Sequence, residues 1–158
     1  MIKMVKVLFT GGTGLVGSNV LPLLKKKYDV YAPTRQELNI LDTAEVEKYV
    51  KEGNFDVIIH SANPNPVKNE LDKNGSMTEN SLRCFMNFYR VRKYCKRLYF
   101  VGSGAELDKT RDMIQISEEE FDRSIPQDEY GFAKYVMNHL ALESDNVYNL
   151  RLFACYGP

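Results

Sequence analysis

The run Thr10-Gly11-Gly12-Thr13-Gly14-Leu15-Val16-Gly17 constrains this chain more than any other stretch. It follows Met4-Val5-Lys6-Val7-Leu8-Phe9, which reads as a buried parallel strand, and leads into Val20-Leu21-Pro22-Leu23-Leu24, which reads as a helix. Strand, glycine turn and helix in that order form the context in which such a pattern implies dinucleotide binding. Gly11 permits the tight turn out of the strand, Gly14 lets the backbone approach a pyrophosphate, and Gly17 lets the helix pack closely on the sheet. The helix entered at Leu15 and Val16 offers free N–H groups and a positive dipole end to phosphates. Gly11, Thr13, Gly14, Leu15, Val16 and Gly17 are therefore the expected phosphate cradle.

Strand and helix patterns alternate almost throughout the chain, as they do in a parallel sheet covered on both faces. Asp29-Val30-Tyr31-Ala32 reads as a second strand, ended by Pro33. Thr43 to Val50 reads as a short helix, with Thr43 as cap and Val46, Tyr49 and Val50 as its apolar stripe. Phe55 to His60 has the composition of a buried strand. Asn63-Pro64-Asn65-Pro66 then imposes an irregular loop, because each proline removes a donor and restricts its predecessor. A longer helix is expected from about Met77 to Tyr94, a strand at Arg97–Val101, a helix at Tyr130–Leu142 and a last strand at Val147–Phe153. Residues 104–127 read as polar loop, with a turn of helix where Ser117-x-x-Glu120 suits a capping box. The pattern predicts one Rossmann-type, doubly wound α/β domain over residues 1–158, with six main strands.

Composition narrows the class of function. Lys plus Arg and Asp plus Glu each number 21, so there is no basic excess to attract nucleic acid and no acidic excess to favour disorder. The apolar stretches are strand-sized, too short to span a membrane. Met1-Ile2-Lys3-Met4 enters a strand directly, without a signal-peptide layout, and Cys84, Cys95 and Cys155 are odd in number and scattered. These features predict reduced thiols in a cytoplasmic protein. His60 and His139 lie far apart with no ligand spacing around them, so no metal is expected.

Tyr130-Gly131-Phe132-Ala133-Lys134 carries the second chemical signal. Positions i and i+4 share a helix face, which places the Lys134 ammonium about one turn from the Tyr130 phenol. A nearby cation favours phenolate over the reference pKa of roughly 10, and a phenol so tuned exchanges a proton with a hydroxyl or carbonyl. Ser103 ends the preceding strand, and ligands of open parallel sheets collect outside the carboxyl ends of the strands. The glycine turn, Ser61-Ala62-Asn63, Ser103 and the start of the Tyr130 helix all belong at that edge. A hydroxyl there is placed to hold a reacting oxygen against the tyrosine.

The end of the second strand bears on the choice of cofactor. In this architecture an Asp or Glu there bonds the ribose 2′-hydroxyl of NAD. The sequence instead continues Tyr31-Ala32-Pro33-Thr34-Arg35, and Arg35 is able to fork onto a 2′-phosphate. NADP is the expected cofactor, with NAD possible. Asp42 either accepts from the adenine amino group or caps the helix that follows.

With these motifs in hand the chain resembles the extended short-chain dehydrogenase/reductase family, the NAD(P)-dependent epimerase/dehydratase group that mostly acts on nucleotide sugars. The resemblance runs through the glycine turn, Asp56-Val57-Ile58-Ile59-His60-Ser61-Ala62, Asn80 with Asn87, Ser103, Tyr130/Lys134 and the closing Arg151 to Pro158. Thr34 to Asp42 is similar to the GDP-fucose synthase branch. The resemblance implies a catalytic set of Ser103, Tyr130 and Lys134. It also implies a cofactor contacted by the cradle, Arg35, Asp42, Ser61, Ala62, Asn63, Asn80, Tyr130 and Lys134. The nicotinamide would exchange hydride with a sugar carbon while Tyr130 moves the proton. Several positions depart from the pattern. Asn63 replaces a usual alanine, Thr13 a basic residue and Glu129 a proline. Gly104 and Glu106-Leu107 replace a run that usually contains tyrosine, and no acidic pair adjoins Ser103, which favours epimerase or reductase over dehydratase.

Two alternatives to the enzyme remain at this point: an NADP-sensing module without catalysis, and a fragment that folds and binds cofactor but turns nothing over. The sequence stops at Tyr156-Gly157-Pro158 without a helix to close the last unit, so a substrate domain is expected elsewhere in a longer protein. The partners expected are a nucleotide-sugar substrate and a second copy of the chain. Phe85, Phe88, Tyr89, Tyr135 and Leu140 give the two long helices apolar residues on more than one face, and a homodimer through those helices is the expectation.

Overall fold

The structure is a computed structural model and describes residues 4–64, 75–110 and 112–156. Its elements are β1 (Lys6–Thr10), α1 (Leu15–Leu24), β2 (Asp29–Tyr31), α2 (Thr43–Gly53), β3 (Val57–His60), α3 (Met77–Val91), β4 (Arg97–Ser103), α4 (Glu129–Leu142) and β5 (Val147–Leu152). The five strands form one parallel sheet in the order β2-β1-β3-β4-β5. This is the expected Rossmann-type fold with five strands in place of six. The five segments that the sequence reads as strands are the five found, and between β2 and α2 the chain turns. Glu37 turns back so that its carboxylate accepts from the Thr34 N–H (2.7 Å) and hydroxyl (2.9 Å), and Asp42 then caps α2 directly. The described chain thus reaches α2 without adding a strand outside β2.

Right-handed crossovers assign the helices to faces. The chain steps one way from β1 to β2 and the other way from β2 through β5, so α1 lies on one face and α2, α3 and α4 lie on the other. Alternation along the strands agrees. Leu8, Ile58, Leu98, Phe100 and Val147 share the three-helix face, where they join Val46, Val50, Phe85, Phe88, Met137 and Ala141 in one buried core. On the opposite face Val7 and Phe9 are buried, whereas Tyr148 and Leu150 at the β5 edge stay exposed. Tyr99 and Tyr148 stack there with ring centroids 5.3 Å apart.

Caps explain the helix starts. Asp42, and not Thr43, caps α2 by accepting from Glu45 N at 2.9 Å; the Thr43 hydroxyl donates instead to Asn87 Oδ1 at 2.8 Å. Ser76 caps α3 and Asp128 caps α4. A capping box does form, but at Ser103-x-x-Glu106; Ser117 makes no side-chain cap bond to the turn over Glu118–Glu120. Residues 104–108, read from sequence as the start of a surface loop, are all buried. Asn65 and Pro66 of the expected loop, and the closing Gly157 and Pro158, lie outside the described residues.

Candidate functional site

The glycine turn meets the geometric demands placed on it. Gly11 has φ +78°, and a Cβ there would sit 2.7 Å from the backbone N of Ala62. A Cβ on Gly17 would lie 2.3 Å from the Gly11 carbonyl oxygen, so its missing side chain is what lets α1 close onto the turn. Gly14 differs: φ is −77°, and the nearest atom to its added Cβ is 3.4 Å away. Its bareness serves no internal contact and leaves an open approach to the backbone. Gly14 is also the N-cap of α1, which has no side-chain cap bond and no acid in its first turn. The free donors and positive dipole end of that helix suit a phosphate group. Thr13, Gly14 and Leu15 are exposed at this corner, with Val16 half-buried.

Strand order places the other candidates beside the turn. β1 and β3 are neighbours from which the chain departs in opposite directions, and the crevice at such a reversal is where open α/β sheets bind ligands. Ser61, Ala62 and Asn63 continue from β3 there and are half-buried. Thr10 Oγ1 pairs with His60 Nδ1 at 2.9 Å and accepts from Ala62 N at 3.3 Å, which fixes the floor between the two strands. Burial, with a smaller contribution from the Lys134 charge, pushes the His60 imidazole down to about 3. Asn63 Nδ2 donates to Pro64 O.

The Tyr130/Lys134 pair is brought to the end of β4. Lys134 is 5 % exposed and donates from Nζ to the Val101 carbonyl at 2.7 Å, with the Tyr130 ring centroid 5.6 Å from the same nitrogen. Burial draws the ammonium down to about 8, against the Glu106 carboxylate and Cys84, which act the other way. Ser103 Oγ accepts from Ala105 N at 3.2 Å. A Cβ on Gly131 would stand 2.7 Å from the Ala105 carbonyl, so the first turn of α4 presses on the turn that Ser103 opens. Tyr130 itself is half-buried, and Lys109 Nζ lies 5.8 Å from its ring centroid.

Two acids that the sequence showed only as departures from the family pattern take structural roles at this site. Glu106 is fully buried, bound by Arg151 Nε at 2.6 Å and by Asn149 Nδ2 at 2.9 Å. The Ser-x-x-Glu spacing at Ser103 was its available signal. Glu129 joins the starts of the two long helices, its carboxylate accepting from Met77 N at 3.1 Å and its carbonyl from Thr78 Oγ1 at 3.0 Å. Asn80, 7 % exposed, stands one turn further along α3 from that junction.

The remaining candidates lie where expected with altered surroundings. Arg35 is exposed beyond β2, and the Glu37 carboxylate is folded back onto Thr34 beside it. Asp42 is engaged as the α2 cap. Of the residues that suggested pairing of the long helices, Phe85 and Phe88 have no exposed surface and Tyr135 has 8 %. Tyr135 also donates its hydroxyl to Asp122 of the loop over α4. These rings are covered by the chain's own core and loop; Phe132 and Leu142 are the apolar residues of α4 left exposed. Among the described residues no helix is long and apolar enough to cross a membrane.

Comparison with known proteins agrees with this fold. The model of the NAD dependent epimerase/dehydratase family matches residues 7–158. GDP-L-fucose synthase of Azorhizobium caulinodans is 35 % identical over 58 residues, which are 36 % of this chain and 19 % of that protein. A GDP-D-glycero-L-gluco-heptose synthase from Campylobacter jejuni, solved with NADPH, superposes with a TM-score of 0.80 at 21 % identity, over 99 % of this chain and 49 % of that one. A Bordetella bronchiseptica enzyme solved with NAD gives 0.79 at 18 % identity, over 99 % and 56 %. The chain thus spans about half the length of these structures. With its glycine turn, strand order and family match in agreement, the chain belongs to the NAD-dependent epimerase/dehydratase family.

Proposed function

We propose that this chain is the cofactor-binding part of an NAD(P)-dependent nucleotide-sugar epimerase or reductase that prefers NADP(H). The observation that carries the reading is the gathering of three elements at one sheet edge. They are an uncapped helix N-terminus behind a glycine turn, a strand-end serine, and a tyrosine one helical turn from a buried lysine. A bound nicotinamide supplies the hydride chemistry. The chain's own residues do the rest. The Gly11–Gly14 turn and the first N–H groups of α1 hold the pyrophosphate, and Arg35 pairs with a 2′-phosphate. Ser103 Oγ holds the reacting sugar oxygen, and the Tyr130 phenol gives or takes its proton. Lys134 presents a positive charge to the phenolate left by that transfer. Names of similar proteins support the substrate class: one is a GDP-L-fucose synthase and another a GDP-heptose synthase.

Cofactor titration tests the binding half. NADP should bind more tightly than NAD, and Arg35→Ala should weaken NADP about 10- to 100-fold, the range of a lost charged hydrogen bond, while leaving NAD unchanged. Equal affinities for the two cofactors would remove the 2′-phosphate assignment. In a protein carrying the substrate-binding half as well, Tyr130→Phe should lower turnover by roughly two to four orders of magnitude with cofactor affinity intact. Retained turnover would remove Tyr130 as the proton carrier.

A further inference from the structure

Glu106 is a fully buried carboxylate that the proposed chemistry does not use. Everything described around it donates. Ser103 N approaches Oε2 at 3.4 Å, Arg151 Nε approaches Oε1 at 2.6 Å, and Asn149 Nδ2 reaches both oxygens, at 2.9 and 3.1 Å. A carboxylate is acceptor-only when ionised, so this shell fits the charged form. Asn149 accepts a cost in providing it, since its own Oδ1 is buried without a partner. The same Nδ2 donates to Asn138 Oδ1 at 3.0 Å. Asn138 lies one turn after Lys134 on α4, and Lys134 in turn bonds Val101, two residues before Ser103. One carboxylate therefore ties the Ser103 turn, β5 and the Tyr130/Lys134 helix together.

We propose that Glu106 is a positioning residue of the site: it anchors the turn that carries Ser103 and, through Asn149 and Asn138, ties that turn to β5 and to the helix of Tyr130 and Lys134. The proposal rests on the reading of Ser103, Tyr130 and Lys134 given above, and deepens it. Arg151 pairs with the buried Glu106 and also with the exposed Glu118. Burial raises the Glu106 carboxyl, while Arg151, Asn149 and the Ser103 N–H oppose the rise. The charged and titratable groups that bear on Lys134 are Glu106 and Cys84, which favour its ammonium, His60, which feels its charge, and Tyr130, one turn away on the same helix. Among these Glu106 is the acid that favours its ammonium form at neutral pH.

Nitrogen-15 resonances of the Lys134 ammonium and the Ser103 amide, followed against pH in the cofactor-free chain, test the proposal. Lys134→Met identifies the lysine signal. Glu106→Gln keeps reach and removes charge, so the Lys134 transition should move to lower pH while the Ser103 amide signal changes little. Glu106→Asp keeps charge and shortens reach, so the Ser103 amide proton should move upfield and exchange faster while the Lys134 transition stays near its parent position. In the unsubstituted chain both resonances should follow the transition of the Glu106 side-chain carboxyl carbon, which gives a reading even where a variant does not fold. A Ser103 amide unmoved by Glu106→Asp, or one that stays flat through the Glu106 transition, would overturn the proposal. Cofactor titration of the same samples is a separate readout, so failure of the dinucleotide reading would be seen independently.

Discussion

Lys134 Nζ donates to the Val101 carbonyl across 2.7 Å, which buries an ammonium against the backbone of the strand that ends in Ser103. The bond orients the lysine, but desolvation holds its folded-state value near 8, below its ordinary 10.5. The unfolded chain then binds more protons than the folded one between those values. The penalty is full below about 8 and is relieved as pH rises toward 10.5. At roughly 1.36 kcal/mol per unit, it is about 3 kcal/mol. Lys134→Met should therefore gain stability relative to the parent at neutral pH, and that advantage should shrink through this alkaline window. Urea unfolding of both chains across pH measures it; a pH-independent difference would contradict the burial argument.

His60 sets an acid limit. Its folded value near 3 lies below the ordinary 6.5, so the unfolded state takes up the proton first as pH falls. The stability this contributes is present above 6.5 and is lost progressively toward 3. His60→Gln, which keeps a partner for Thr10, should flatten the acid limb of the stability curve between those values. An unchanged slope would show that other groups govern acid unfolding.

Gly11 and Gly14 should separate folding from binding. Gly11→Ala places a Cβ at φ +78° against the Ala62 backbone and should cost at least about 1–2 kcal/mol in folding. Gly14→Ala meets ordinary van der Waals distance at an ordinary φ, so its stability should stay within about 1 kcal/mol of the parent. It should nonetheless lose cofactor affinity by about tenfold or more, because the added methyl occupies the approach to the backbone. Thermal melts paired with NADP titration check both outcomes.

A homodimer through α3 and α4 remains a proposal, and the structure shifts its weight onto Phe132 and Leu142, which are 38 % and 68 % exposed. Sedimentation at micromolar concentration should give a dimer, and Leu142→Glu should shift it toward monomer. A parent chain that sediments as a monomer would end the idea.

Local patterns made much of this molecule legible. Alternating apolar residues and turn signals disclosed β1, the glycine turn, α3 and α4, because each is fixed by neighbours within a few positions. The sequence reading placed Gly11, Ser103 and Tyr130 at strand or helix ends, and the structure brings those ends to one edge. Glu106 was opaque for the opposite reason: its partners Asn149 and Arg151 are 43 and 45 positions away. Three Ser-x-x-Glu sequences offer the same interpretation: Ser76 caps α3, and burial and the β5 side chains select Ser103 over Ser117. The count of six strands failed because only five segments carry a strand pattern, and those five are the strands of the sheet.

The uneven clothing of the sheet has a mechanical consequence. β1 is buried on both faces, Leu8 in the three-helix core and Val7 and Phe9 on the other side, whereas the β5 edge leaves Tyr148 and Leu150 bare on one face. Within this chain, stiffness should therefore fall from the glycine-turn side of the crevice toward the Ser103 side. Ser103 stands on β4 next to the softer margin, and the role proposed for its hydroxyl calls for a brace there. The sandwich of apolar layers does not supply one at that margin. The Glu106–Arg151–Asn149 knot does, with directional bonds in place of close packing.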